Sequence, residues 1–484
     1  MANSASDSAQ EKWTGSKTSA VGIVIAAAAT AIVLILPTPQ GLDPAGQRTA
    51  ALFIGALILW STESLPIAVT SLLTLAVQPL FGLTPLGPAF ANFMSPVFFF
   101  VLVMFIIALA WTKTGLAKRF AWWMLSMAGT DAKKAIYVFV VGAGLLSMIV
   151  SDVPAAAIFM AIALGILAKL DLRPGSQFGK AIMLGIPIGA LIGGVGTPAG
   201  SSINLLGLEI IAQQGGERIP FVNWMAIGIP MVAILLPFTA YVVVKFFPPE
   251  IESIGMIEDI HAERDNMGAL SSAEWKLIAI MSTMVVLWIL SSWPALFPSV
   301  LRPLSNVFLV GILGAIVMFL PGIKLFTWKE AQEATGWEVL LLVGAVTSLG
   351  VVSRDTGLAQ WLVDSLLSGL VAWHMVAILI VISAFTVVVH LMLPINPVIP
   401  VVMIPPLMLL GDAAGLNPAL FALPVIFTAS CAFLLPLDAV PLVTYGKGYY
   451  KMFDMLPAGT VISIAWVIVM TVLLVVIGPL IGLL

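Results

Sequence analysis

The stretch "MIVSDVPAAAIFM", residues 148–160, sets Asp152 and Pro154 inside an otherwise apolar run. No residue from 135 to 151 is charged, and none from 153 to 168. An acid at the centre of a bilayer costs roughly 3 kcal/mol or more, and proline interrupts a helix. The run 135–168 is too long for one span of about 20 residues, so it reads as a re-entrant hairpin of two half-helices. Such backbone survives at depth only where protein buries it or a cavity lines it. The run 372–411, with "LMLPINPVIPVVMIP" (391–405) at its centre, reads as a second hairpin of the same kind.

Composition agrees with a membrane chain. Of 484 residues, 60% are hydrophobic and 9% charged, against about a quarter charged in a soluble domain. The 41 glycines and 32 prolines suit broken helices, whereas β-barrel strands would alternate apolar and polar residues. One cysteine, Cys431, excludes a disulfide framework and a cysteine-based metal cluster. The net charge of −3 and the lack of a basic patch argue against nucleic acid. The chain therefore reads as an all-α polytopic protein of the inner (plasma) membrane, with the lipid bilayer as its partner. About eleven transmembrane helices accompany the two hairpins.

The expected organisation follows the chain. Residues 1–18 form a cytoplasmic tail, since they lack the apolar core of a signal peptide. Scaffold helices occupy 19–92. The first repeat is 93–246, with the hairpin 135–168 and a broken helix 178–212. An acidic cytoplasmic linker (247–276), further scaffold helices (277–322) and an interfacial segment (323–336) precede the second repeat. That repeat, 337–484, holds the hairpin 372–411 and a broken helix 417–446. With the N-terminus inside, this topology leaves only Arg48, Arg218, Arg302 and Arg354 of the 21 Lys and Arg outside. Such an asymmetry is the positive-inside pattern.

The repeat is visible in the residues. "VFFFVLVMFIIALAWTKTGLAKRFAWWMLS" (97–126) parallels "EVLLLVGAVTSLGVVSRDTGLAQWLVDSLLS" (338–368), and both carry TGLA. Asp152 lies 38 residues after Thr114, and Asn396 lies 40 after Thr356. Each hairpin precedes a Gly/Pro-interrupted span, "GGVGTPAGSSINLLGL" (193–208) and "CAFLLPLDAVPLVTYGKG" (431–448). Inverted repeats with broken segments at matching places point to a transporter's substrate site.

Several segments resemble the divalent anion/sodium symporter family of di- and tricarboxylate and sulfate carriers. "LWSTESLPIAVTSLL" (59–73) is similar to that family's early Glu-(Ala/Ser)-(Ile/Leu)-Pro-Ile-x-Val-Thr segment. "LSMIVSDVPAAAIFMAIALGIL" (146–167) sits where the family has its first Ser-Asn-Thr tip. "GVGTPAGSSINL" (194–205) and "SCAFLLPLDAVPLVTYGKG" (430–448) resemble its two bends. The tips themselves differ from the family pattern, reading Ser151-Asp152-Val153 and Ile395-Asn396-Pro397. The first bend keeps Asn204, with Ser202-Ile203 for two prolines, and the second reads Val440-Pro441-Leu442 without an Asn.

The resemblance implies an elevator-type, homodimeric carrier. Its substrate contacts carry over onto Asp152, Val153, Asn204, Asn396 and Pro397. Its first sodium site carries over onto Ser147, Ser151, Asp152 and a bend glycine, Gly196 or Gly200. Leu391 replaces the hydroxyl of a second sodium site.

Chemistry gives the same residues roles of their own. Helix N-termini attract anions, while unwound carbonyls and side-chain oxygens coordinate Na⁺. Ser147 and Ser151 are four apart, on one face of a helix. Asp152 reads as a coupling-ion residue, ligating Na⁺ or carrying a proton; the alternatives are a helix cap or a partner for a cationic group on the solute. Asn204 and Asn396 read as substrate or ion contacts, or as partners of freed backbone. Asp438 reads as a counterpart of Asp152 or a cap, and His390 as a proton carrier or a packed histidine. The chain lacks His-Glu-x-x-His and any cysteine cluster, which disfavours an intramembrane enzyme, and inverted repeats with two hairpins disfavour a channel. No organic cofactor is expected. The expected function is a cation-coupled secondary transporter, Na⁺ favoured, of small anions such as dicarboxylates. The alternative is a proton-coupled carrier or exchanger of a monocarboxylate, sulfonate or zwitterion through Asp152.

Overall fold

A computed structural model describes residues 17–255, 262, 264–371, 373–392 and 396–483. The expected tail 1–18 falls almost wholly outside the described residues, as does Ile395 of the second tip. Among the described residues the chain is all-helical, with one isolated antiparallel bridge between Asp131 and Ser253.

In chain order the first helices are α1 (Lys17–Ile35), α2 (Pro44–Thr62), α3 (Ile67–Leu80) and α4 (Leu86–Phe93). The first half continues with α5 (Pro96–Thr114), α6 (Leu116–Ser126), α7 (Ala132–Val150), α8 (Asp152–Lys169), α9 (Gln177–Gly194), α10 (Ser202–Gln213) and α11 (Phe221–Phe246). Between the halves lie α12 (Ser272–Leu290), α13 (Val307–Val317) and α14 (Trp328–Ala334). The second half runs α15 (Trp337–Asp355), α16 (Leu358–Leu362), α17 (Met375–Met392), α18 (Val398–Ala413), α19 (Pro418–Thr428), α20 (Ala439–Tyr445) and α21 (Met455–Ile477).

Eight described helical segments are long and apolar enough to cross a membrane, or nine if the 90° bent pair Ser299–Ser305 and Val307–Val317 is one span. This is fewer than the eleven spans read from hydropathy. The stretches 66–82 and 417–446 yield only α3 and the α19–α20 pair, which are shorter than a bilayer. Conversely, α7 and α8 have 19 and 18 residues, nearly the roughly 30 Å of a hydrocarbon core at about 1.5 Å per residue. The arms of this pair are longer than the half-helices expected, because only Ser151 interrupts the run.

The helices cluster into two compact units. The first comprises residues up to Phe93 together with Trp337–Trp361. Here α15 packs on α2, α3 and α4. Ser348 donates to Gln78 Oε1 at 2.8 Å, and Thr49 and Thr356 hydroxyls pair at 3.0 Å. Gln47 Nε2 donates to the carbonyls of Val33 and Leu36, both at 2.7 Å, satisfying the open end of α1.

The second unit holds Met94–Gly336 and Leu362–Leu484. Its centre is α7 packed on α9, with α11 against both. Gly185, Gly189 and Gly193 recur every four residues on one face of α9. A Cβ at Gly189 would strike the Val140 carbonyl, and one at Gly193 the Gly144 carbonyl. Small residues thus bring two backbones into contact, as membrane helix pairs do. Gly193→Leu is expected to destabilise the protein by more than about 3 kcal/mol, the upper range for overpacking, since backbone cannot rotate aside. A melt of detergent-purified protein checks this.

The two halves are packed reciprocally. Helix α10 of the first half lies on α18 and α19, while α20 of the second lies on α8 and α9. The starts of α7 and α9 meet the same part of the linker. Ala132 N donates to Glu252 O at 3.1 Å, Ile254 N to Thr130 O at 2.8 Å, and Phe178 N to Glu250 Oε2 at 2.7 Å. The far side of the α17–α18 pair instead meets the C-terminus, where Asn417 Nδ2 donates to Gly482 O at 3.3 Å.

Three ion pairs lie at helix ends: Lys113–Glu330 at 2.6 Å, Arg119–Glu274 at 2.6 Å and Lys180–Asp454 at 3.0 Å. Glu330, in the short helix α14, also closes a capping box with Thr327. The hydrogen bond from the Lys113 ammonium, and then those from the Thr327 amide and hydroxyl, hold the Glu330 carboxyl down at about 2. A depressed carboxylate contributes above its ordinary range and is lost only as pH falls through its folded value. The infrared carboxylate difference between wild type and Glu330→Gln is therefore expected to persist at about pH 3.

Candidate functional site

The α7–α8 turn is made by one residue. Ser151 has φ +81° and ψ 161°, a region that non-glycine residues occupy at a cost of about 1–3 kcal/mol. Ser151 therefore ends α7 and does not continue the helical face of Ser147, contrary to the four-residue spacing. Its amide still bonds the Ser147 carbonyl at 3.2 Å. Asp152 begins α8, so its carboxyl sits at a helix N-terminus, where negative charge is favoured. It is 6% exposed. Ser147 Oγ donates to its Oδ1 at 2.9 Å, and the Ser201 side chain also hydrogen-bonds it.

The same carboxyl lies against the C-terminal end of α9, where a Cβ on Gly194 would overlap Asp152 Oδ1. Only glycine permits this approach. Beyond Gly194 only a short 3₁₀ turn, Pro198–Gly200, precedes α10, and side chains bond several of the carbonyls around it. Asn204 Nδ2 donates to Gly194 O at 2.8 Å and Thr197 O at 3.0 Å. Trp224 Nε1 donates to Val195 O at 2.8 Å, and Thr197 Oγ1 to Met148 O at 2.7 Å. Gly200 packs its backbone on that of Gly194, whereas the Gly196 carbonyl faces Gly228 of α11. Asn204→Ala leaves both carbonyls unbonded in the interior. It is expected to lower stability by about 2–6 kcal/mol, at about 1–3 kcal/mol for each of the two orphaned groups, measured as a melting shift.

The second half supplies the opposite wall. Asp438 caps α20, accepting from Val440 N at 3.4 Å, and Asn396 hydrogen-bonds the same carboxyl. Since α20 packs on α8, Asp438 and Asp152 lie at the starts of two helices in contact. His390 is 4% exposed and lines a small pocket with Val387, Leu391, Cys431 and Leu437.

Ser147, Asp152, Asn204, Asn396, Asp438 and His390 are all buried within the second unit. Pro397 is buried ahead of α18, whereas Val153 is 39% exposed. Sequence reasoning missed Gly194, Ser201 and Trp224. The paired glycines at 193–194 and the serine beside the bend glycine were the available signals.

Chemically, the donor set around Asp152 is hard oxygen: one carboxyl and the hydroxyls of Ser147 and Ser201. That suits an alkali cation better than a transition metal, whose preferred imidazole and thiolate ligands are missing from it. No group of three His, Cys, Asp or Glu is placed to hold a metal among the described residues.

Comparison with known proteins agrees with this architecture. The model of the family described as "Sodium:sulfate symporter transmembrane region" matches residues 17–484. The Staphylococcus saprophyticus protein named sodium-dependent dicarboxylate transporter SdcS is 25% identical over 93% of this chain and 89% of its own. An uncharacterised transporter of Haemophilus influenzae is 28% identical over 88% of this chain and 91% of its own. Among solved structures, MtrF of Neisseria gonorrhoeae superposes with a TM-score of 0.54 at 14% identity, covering 94% of each chain, which speaks to fold alone. The chain belongs to the sodium:sulfate symporter transmembrane family, and is a multi-pass membrane transporter rather than an enzyme.

Proposed function

We propose that this protein is a cation-coupled secondary transporter of a small solute bearing an anionic group, with Na⁺ the favoured coupling ion. The observation that carries the reading is the Asp152 carboxyl, held by Ser147 and Ser201 against the glycine end of a broken helix. Coupling follows if cation and solute share this junction, so that each raises the affinity for the other. The names of the staphylococcal relatives support sodium dependence and a dicarboxylate as one solute class. A cytoplasmic N-terminus, a homodimer and an elevator-like movement of the hairpin-bearing helices belong to the same proposal. They rest on the charge asymmetry and on the family resemblance.

A second reading, proton coupling, is favoured by one observation: two buried carboxyls and an imidazole lie near one another. Uptake of a panel of small anions into proteoliposomes, under a Na⁺ gradient or a pH gradient, separates the two. Sodium-driven accumulation supports the first reading, and accumulation driven only by the pH gradient supports the second. Equilibration without accumulation under either gradient removes both.

A further inference from the structure

The polar atoms left over in this junction have a sign. Asn204 spends its amide protons on Gly194 and Thr197, and Asn396 hydrogen-bonds Asp438. Oδ1 of Asn204, Oδ1 of Asn396 and Nε2 of His390 are buried and unpaired, and His390 lines a small pocket with Leu437, the residue before Asp438. The seam therefore presents acceptors, two amide oxygens and two carboxyls, and one imidazole nitrogen. No Lys or Arg is buried among the described residues. A dianionic solute would set its second charge against carboxyl oxygens with no fixed cation to meet it. A buried charge without a partner is costly.

The two halves also differ. Asp152 is surrounded by the hydroxyls of Ser147 and Ser201, the ligands an alkali cation takes. Asp438 has instead the amides of Ala439 and Val440, the Asn396 side chain and His390, and Leu391 stands where a second hydroxyl is expected. Resting on the transporter reading above, we propose that the solute is a zwitterion. Its ammonium group is held by Asp438 and Asn396 Oδ1, its anionic group faces His390 Nε2, and Asp152 is left to the coupling ion.

The test is calorimetric titration of the purified full chain in saturating Na⁺ with 3-aminopropanoate and propanedioate, which match in length and differ in one end group. The expected result is at least about tenfold tighter binding of 3-aminopropanoate, the usual worth of one charge-assisted hydrogen bond. Asp438→Asn should weaken 3-aminopropanoate by a similar factor and leave propanedioate unchanged or tighter. Asparagine caps helices as well as aspartate, so a matching melting temperature verifies that the fold is kept. Tighter binding of propanedioate overturns the proposal, as does an Asp438→Asn affinity equal to wild type, or no binding of 3-aminopropanoate. These outcomes leave the coupling proposal standing, because that is decided by gradient dependence of uptake and not by solute preference.

Discussion

Proteoliposomes carrying Asp152→Asn are expected to lose gradient-driven uptake by about 10- to 100-fold relative to wild type, the loss of one or two charge-assisted contacts. Asparagine keeps the volume and an acceptor for the Ser147 hydroxyl, which donates at 2.9 Å, so the substitution isolates the charge. If Na⁺ is the coupling ion, raising external Na⁺ should recover part of the mutant's uptake, because a weakened ligand set still saturates. If a proton is the coupling ion, no Na⁺ concentration restores it, since an amide carries no proton across the cycle. Uptake equal to wild type under both gradients would remove Asp152 from coupling and leave it as a cap on α8.

The second large effect is expected from a single methyl group. In Gly194→Ala the new Cβ occupies the space of the Asp152 carboxyl, so the carboxyl turns away from Ser147 and Ser201. Uptake should fall about as far as in Asp152→Asn, with a cost in stability of about 1–3 kcal/mol from the overpacking. Gly165→Ala, on the same helix as Asp152, meets open space and is the matched control. It should keep wild-type uptake and gain about 0.5–1 kcal/mol from replacing a mid-helix glycine. Equal uptake by Gly194→Ala and Gly165→Ala would show that the carboxyl's position against α9 is immaterial to transport.

Much of this arrangement is legible in the residues, for physical reasons. An acid amid 33 uncharged neighbours has to be partnered, so Asp152 marks its own site. TGLA followed by an interrupted run, twice, marks the repeat, and α10 and α20 take equivalent places in it. Asn204 shows where such reading stops. Its burial beside freed carbonyls is expected from the broken span, yet its amide serves the backbone while its oxygen stays unpaired. Residue identity carries no such division. Gly194 was illegible because its role is to lack a side chain where another residue's carboxyl lies, a contact between positions 42 apart. Trp224, bonded to Val195 O from 29 residues away, is the same case. The extent of α7 was misjudged because a strained Ser151 allows the helix to run to Val150 before it turns.

Cation and solute are proposed to bind as a unit, the cation at Asp152 between the α7–α8 turn and the α9–α10 break, and the solute at Asp438 and Asn396 on the side of α20. The most direct test of this joint binding is the affinity of the purified wild-type chain for 3-aminopropanoate and for propanedioate, titrated across Na⁺ concentration at fixed ionic strength and then across pH. The apparent affinity for whichever solute binds is expected to rise with Na⁺, or with proton concentration if the proton is the coupling ion. Asp152→Asn should flatten that dependence. Affinity independent of both Na⁺ and pH in the wild type would contradict joint binding.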